Sequence, residues 1–458
     1  MKGKTHLKIW GVFVVAILSI VCAAAGQTII YVDSTATGAN DGSSWWDAYR
    51  LLQDGLAAAA AAPKPVEVRV AQGIYKPDQV AGKSTGDRNA SFELITDVTI
   101  LGGYAGLERR DPITGERVDP NTRDPNNFFT VLSGDLKGDD EQFSDPWGFL
   151  TDPKRAENSE HVVVARVARG AGVIDGCAIT AGNSKSMAYD DGGAGIYCMA
   201  SAVAPVISNC MIGQNKAAKN GGGILVKGKS PQIINCEFNY NYADCGGAIA
   251  LWQTAAVVKG STIIADNRAR LGGGCYIQEG TPNIDNSEIT YNYAEERGGG
   301  CFINMSTITV ENCQISDNSA KESGGGILCS GSMTNLVRSE IARNSAKLGA
   351  GCSFYSDSNS TLQSCTLTEN EASQEGGAIY ALSGALTLLD VVTKDNSAKD
   401  NGGGICCWSS TTNLEGSEIA RNSAKLGAGC YFQSGSNDIP ILNEISVSRC
   451  DDLEVLGQ

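Results

Sequence analysis

The sequence predicts an all-β fold: a right-handed parallel β-helix solenoid with coils of ~26 residues and a short α-helical cap at its N-terminal end. Three observations carry that expectation. First, an asparagine recurs at Asn215, Asn241, Asn267, Asn292, Asn318, Asn344, Asn370, Asn396 and Asn422, at intervals of 26 residues with a single interval of 25. Second, the apolar residues between these positions alternate with a period near two, the pattern of short strands with one buried face rather than of helices. Third, a glycine-rich turn follows each asparagine, and the segment Glu340–Cys352 returns verbatim at Glu418–Cys430, three periods later. A unit this short cannot bury its own apolar face. Neighbouring units must therefore stack, which puts equivalent residues about 4.8 Å apart.

The chain opens with a targeting segment, residues 1–25. Lys2, Lys4 and Lys8 form a basic stretch, Ile9 to Val21 an apolar one, and Ala23, Ala24 and Ala25 a small-residue cleavage site, which predicts export. Beyond it no run reaches the ~18 apolar residues of a membrane span. Residues 26–176 read as a cap followed by irregular early coils. Strands are expected at Thr28–Val32 and Val66–Val70. Between them a helix is expected from Trp45 to Ala62, where Trp45, Ala48, Tyr49, Leu52 and Leu56 fall at helical spacing. Strands continue at Asp97–Leu101, Thr130–Leu132 and His161–Val167. The stretches 76–91, 104–128 and 135–160 would be long loops, where function tends to sit on a rigid scaffold.

Residues 177–435 carry the regular repeats and residues 436–458 a C-terminal tail or cap. Apolar residues stand three and eight positions before the asparagines, with Lys259 and Thr393 as exceptions, and small residues five before. Interior asparagines can form a structural ladder, each amide satisfied by the asparagine and backbone of the next coil. The alanine two residues after each asparagine suggests a tight corner. The glycines suggest another corner, with positive φ or close backbone approach.

Gly246-Gly247-Ala248-Ile249 and Gly376-Gly377-Ala378-Ile379, together with Phe238-Asn239-Tyr240-Asn241, resemble the GGA(I/L) and FxxN motifs of polymorphic outer-membrane protein repeats. The resemblance covers roughly residues 177–435 and implies secreted β-helices of the broad pectate-lyase-like superfamily. The stretch Asp33 to Trp45, with Gly73-Ile74-Tyr75-Lys76-Pro77, is similar to the opening of many bacterial surface β-helix proteins. That similarity implies a cap over the open edge of the first coil.

Composition narrows the function. With 42% hydrophobic residues the chain is too apolar for disorder, and its 55 glycines lack the collagen period. A formal net charge of −15 argues against nucleic acid as a partner. The strand after each glycine turn should point its second and fourth residues outward. Those positions include Tyr197, Tyr276, Phe302, Tyr380 and Tyr431, then Trp252, Tyr355 and Trp408. An exposed aromatic file marks a binding surface for an extended glycan or another cell-envelope component; rings covered by loops are the plain alternative. Asp135, Asp139 and Asp140 crowd one early loop as hard oxygen ligands for a metal such as Ca²⁺.

The cysteines fall mostly in interior rows: Cys210, Cys236, Cys313 and Cys365; Cys275, Cys301, Cys352 and Cys430; and Cys198, Cys329 and Cys407. They read as small buried hydrophobes. No CxxC pair is present, which argues against zinc. The superfamily resemblance implies lyases and hydrolases of acidic polysaccharides. However, the GHG, NTD and RIK segments of polygalacturonases are absent, His161 is the one histidine outside the targeting segment, and Asp190-Asp191 is a weak carboxylate pair. No catalytic residue is assigned. The expectation is an exported, non-catalytic protein of the cell surface, outer membrane or extracellular space, engaged in adhesion or glycan binding. A polysaccharide lyase or glycoside hydrolase is one alternative, and a structural cell-envelope protein another.

Overall fold

Alternation of inward apolar residues with outward ones sets four short strands in a regular coil. The computed structural model describes residues 27–110, 114–166, 172–188, 191–200, 205–228 and 230–433, and the backbone of three short strands up to residue 456. The targeting segment 1–25 and most of 436–458 lie outside the described residues.

One coil shows the plan, with strands Ile224–Gly228, Gln232–Ile234, Glu237–Asn239 and Tyr242–Cys245. Each pairs in parallel with its equivalent in the next coil, Ile224 with Ile249, Ile233 with Val258, Phe238 with Ile264. Four columns of strands result. The first and second belong to one 25-stranded sheet, because the single strands Ile379–Leu389 and Ile405–Glu415 run through both; the third is a 13-stranded sheet and the fourth a 9-stranded one. The core is the space inside the coils. Its third-column row Ile212, Phe238, Ile264, Ile289, Ile315, Ile341 and Leu367 is fully buried.

The asparagines stack as one ladder. Asn241 Nδ2 donates to Asn267 Oδ1 at 3.0 Å and to Ile212 O at 2.8 Å, while Asn267 Oδ1 also accepts from the Asn241 backbone N–H at 3.0 Å. The same set recurs at Asn292, Asn318, Asn344, Asn370 and Asn396. Both amide donors and both oxygen lone pairs are used, which is why asparagine is tolerated in a dry interior. The alanines two residues on are not at a corner. They lie in the fourth-column strands, where Ala294, Ala320, Ala346, Ala372 and Ala398 pack on one another.

The corners show that positive φ alone does not demand glycine. The residue before each ladder asparagine is left-handed in every regular coil, yet it is Gln214, Tyr240, Asp266, Tyr291, Asp317, Arg343, Glu369, Asp395 or Arg421. The first residue of the glycine turn is also left-handed, and it stays glycine throughout because a Cβ there would meet the carbonyl oxygen three residues on within 2.6 Å. Backbone proximity, not dihedral angle, selects the glycine.

The apparent break at Lys259 is a turn insertion. Val258 takes the inward place beside Ile233, and the extra residue is absorbed at Gly260 and Ser261, both left-handed.

The early coils follow the expected order, with strands β1 (Thr28–Val32), β2 (Val66–Ala71), β3 (Gly73–Tyr75), β4 (Phe92–Glu93), β5 (Val98–Tyr104), β6 (Thr130–Ser133) and β7 (Val163–Ala165). The helix α1 is shorter than its apolar spacing suggests, Leu52–Ala61. Tyr49 instead extends the β1 ladder, donating to Tyr31 O and accepting from the Asp33 N–H, so the helix cannot start before it. Helix α1 buries Leu52, Leu56 and Ala59 against the end of the core, about 1.5–3 kcal/mol for each leucine. Gly55 is required where it sits, since a Cβ would strike Val32 Cγ2 at 2.6 Å. The stretch 135–160 is a loop with two 3₁₀ turns, Gly148–Leu150 and Pro153–Glu157.

Candidate functional site: a groove beside the glycine corner

All eight aromatic residues singled out above point outward from the first column, as the register requires. Tyr276 sits beside Phe302, Tyr380 beside Cys406, and Cys406 beside Tyr431; Trp252, Tyr355 and Trp408 lie in the row two residues on. Their exposure is the correction. Trp252, Tyr276, Phe302, Tyr380 and Tyr431 are buried, between 4% and 8% exposed, and Tyr197, Tyr355 and Trp408 are half-buried.

The glycine corner explains this. It reverses the chain so tightly that the last residue of the fourth-column strand lies against the outward face of the first. Cys245 and Leu271 join Leu225, Trp252, Tyr276, Phe302 and Leu328 in one apolar cluster; Leu348 joins Tyr380, Cys406 and Tyr431 in another. The rings also cover one another, with centroids 5.5 Å apart for Tyr276 and Phe302 and 5.6 Å for Tyr355 and Tyr380. Polar tips find partners. Tyr276 donates to Gln278 Oε1 at 2.9 Å, Trp408 Nε1 to Glu375 Oε2 at 3.0 Å, and Tyr355 Oη shares a hydrogen bond with Ser323 Oγ at 2.9 Å.

The result is a re-entrant groove. One stretch of it is a cavity of about 440 Å³ with Phe302, Leu328 and Tyr355 on the floor. Arg297, Glu322 and Lys347 stand in the walls, Arg297 Nε bonding Glu322 Oε2 at 2.9 Å. Lys347 has no ion-pair partner among the described residues.

At the early end of the same face, the His161 ring stacks on Tyr197 with centroids 4.6 Å apart. Its Nδ1 is 3.1 Å from Gly193 O and its Nε2 3.9 Å from Asp191 Oδ1; burial lowers its pKa. Asp190, the other half of the carboxylate pair, lies outside the described residues.

The acidic loop is brought together. One carboxylate oxygen from each of Asp135, Asp139 and Asp140 lies within 4.8 Å of the others. A cavity of about 370 Å³ opens on Asp135, Asp140, Glu141, Phe149 and Arg155. Sequence reasoning passed over Arg155 and Asn158, which hold the loop. Arg155 is 4% exposed, donates to Gln214 O at 2.7 Å and lies over the Phe149 ring; Asn158 is wholly buried. Only the helix start at Asp152-Pro153, a capping aspartate before proline, advertised this turn.

The fourteen described cysteines are buried free thiols. In-register neighbours Cys275 and Cys301 remain unlinked. Burial pushes Cys177, Cys198, Cys245, Cys329 and Cys407 up to about 12. These fourteen thiols are expected to resist alkylation by iodoacetamide at pH 8 in the native protein and to react in guanidinium, as counted by mass spectrometry. Labelling of Cys301 or Cys352 in the native state would contradict the buried-row assignment.

The sequence model described as "Right handed beta helix region" matches residues 156–307, 222–388 and 284–451. No curated protein matches the chain in sequence. Among solved structures, the crystal structure of pectate lyase Pel9A is similar at 10% identity and a TM-score of 0.34, covering 90% of this chain and 80% of that one. A rhamnogalacturonan lyase is similar at 10% identity and a TM-score of 0.24, covering 92% of this chain and 87% of that one. Neither likeness bears on chemistry. The family match, spanning most of the coils whose parallel register is described above, shows that the chain belongs to the right-handed β-helix family.

Proposed function

We propose that the protein is an exported, non-catalytic β-helix of the cell surface or extracellular space that binds a glycan chain in the groove beside the glycine corners. The observation that carries this reading is the pairing of an apolar and aromatic floor, Phe302, Leu328 and Tyr355, with charged and hydroxyl-bearing walls, Arg297, Glu322, Lys347 and Ser323. A sugar presents an apolar ring face and a rim of hydroxyls, which that combination complements. The groove follows the solenoid axis, so an extended polymer could contact successive coils. The half-buried rings Tyr197, Tyr355 and Trp408 offer stacking faces along it.

A glycan array probed with the purified protein tests the reading. Lys347→Ala, on an exposed side chain, should leave stability unchanged and weaken binding by about tenfold; Tyr355→Ala should weaken it by about tenfold or more. A wild-type protein that binds no glycan on the array would overturn it.

A second reading, polysaccharide cleavage, is favoured by one observation: Asp135, Asp140 and Arg155 open onto a single cavity among the early loops. Release of unsaturated or reducing sugar ends by the purified protein would select it.

A further inference from the structure

The loop that follows β6 gathers more negative charge than its surroundings neutralise. Asp135, Asp139 and Asp140 each place an oxygen within 4.8 Å of the other two. At that separation the carboxylates repel one another. Arg155 Nη1 stands 3.6 Å from Asp140 Oδ2, and Lys154 is engaged by Glu141 at 3.0 Å. Asp135, Asp139 and the neighbouring Glu157 have no ion-pair partner among the described residues.

A second observation is independent of the cluster's own carboxylates. Asn158 is wholly buried, and its Nδ2 donates to Asp140 Oδ2 at 2.8 Å and to Ala181 O at 2.9 Å. That grip holds the amide against the cluster, yet its Oδ1 is buried with no hydrogen-bond partner. Asp140 Oδ1 and Glu157 Oε2 are orphaned in the same way, while Glu157 Oε1 accepts from the Lys137 N–H at 3.1 Å. Buried acceptors are normally paired, and three bare ones on Asn158, Asp140 and Glu157, residues of this loop, call for a positive ligand able to accept several oxygens.

We propose that Asp135, Asp139, Asp140, Glu157 and Asn158 bind a divalent cation, Ca²⁺. The donor set is all oxygen, carboxylate plus amide, which selects a hard cation over zinc or copper. It sits on an irregular loop that can adjust to six or more ligands, which favours Ca²⁺ over the smaller and stricter Mg²⁺. Bound there, the ion ties the Asp135–Asp140 segment to the Pro153–Glu157 turn and fixes one wall of the cavity that Asp135, Asp140 and Arg155 share. The site is far along the chain from the groove residues, and its occupancy does not depend on what the groove binds.

Calorimetric titration of the full chain, stripped with a chelator and free of glycan, tests the proposal. CaCl₂ should bind at one site with a Kd of about 1 mM or tighter, and MgCl₂ at least about tenfold more weakly. Asp139→Asn changes an exposed side chain and should leave the melting temperature in chelator unchanged while weakening Ca²⁺ at least about tenfold. Asp135→Asn should do the same, and if it fails to fold the Asp139 variant alone decides. Absence of binding heat and of any Ca²⁺-dependent rise in melting temperature at about 10 mM, ten times the weakest expected Kd, overturns the proposal. So does wild-type affinity in the Asp139→Asn protein, which would put the ion elsewhere.

Discussion

Asn318→Ala is expected to destabilise the protein by about 2–6 kcal/mol, as a shift in the urea denaturation midpoint followed by far-UV circular dichroism. Asn318 is 1% exposed and stands in the middle of the ladder. Its Nδ2 donates to Ile289 O at 2.8 Å and to Asn344 Oδ1 at 3.1 Å; its Oδ1 accepts from the Asn292 amide and backbone N–H, both at 3.0 Å. Alanine leaves the Asn292 backbone N–H and one Asn292 amide hydrogen buried and unpaired, while the Ile289 carbonyl keeps only its ladder bond to the next coil. Each orphan costs about 1–3 kcal/mol, and the dry interior offers no replacement partner. Asn318→Asp should be no better, because the isosteric carboxylate turns a donor to Ile289 O into a repelling oxygen. Glu340→Ala, on an exposed outward side chain of the neighbouring third-column strand, should change stability by less than about 0.5 kcal/mol. A loss under about 1 kcal/mol at Asn318 would mean that the ladder is decoration on a core held by its aliphatic rows.

The difference between these two sites also explains which features could be read before the structure. Rows perpendicular to the coil are legible because stacking forces one residue type to meet itself, so Asn318 or Ile315 announces its position through repetition alone. The insertion at Gly260 and Ser261 deceived the count by one residue, since a turn can absorb a residue without disturbing the strands on either side. The burial of Tyr276 and Phe302 was not legible. Outward direction follows from strand alternation, but cover comes from Leu271 and its equivalents, which reach the rings only once the glycine corner has closed. Left-handed residues such as Tyr240 and Arg343 carry no compositional mark either, because that position is filled by Gln, Tyr, Asp, Arg and Glu alike. In the acidic loop the three aspartates were visible as a cluster. Asn158 and Glu157 were not, since they join it through a fold of the loop rather than through spacing.

Gly298→Val is expected to cost about 2–5 kcal/mol and to weaken ligand binding in the groove at least tenfold. Gly298 has φ +67°, and a Cβ there would sit 2.6 Å from Cys301 O and 2.8 Å from Phe302 Cβ. Two penalties combine. A left-handed L-residue costs about 1–2 kcal/mol, and relieving the overlap requires moving either the first-column backbone or the Phe302 ring, another 1–3 kcal/mol by the measure of overpacked cores. Gly331→Ala separates them: φ is +56°, but its nearest neighbours would be 3.7 Å and 3.8 Å away, so it should lose only the dihedral share. The two variants are compared by denaturation midpoint and by affinity for whichever glycan the wild type binds. Because Arg297 precedes Gly298 and Phe302 lies on the groove floor, a corner that shifts must disturb wall and floor together. Equal stability losses at Gly298 and Gly331 would mean that the corner yields cheaply, and a groove bounded by a yielding corner could not hold its floor and walls in register for a ligand.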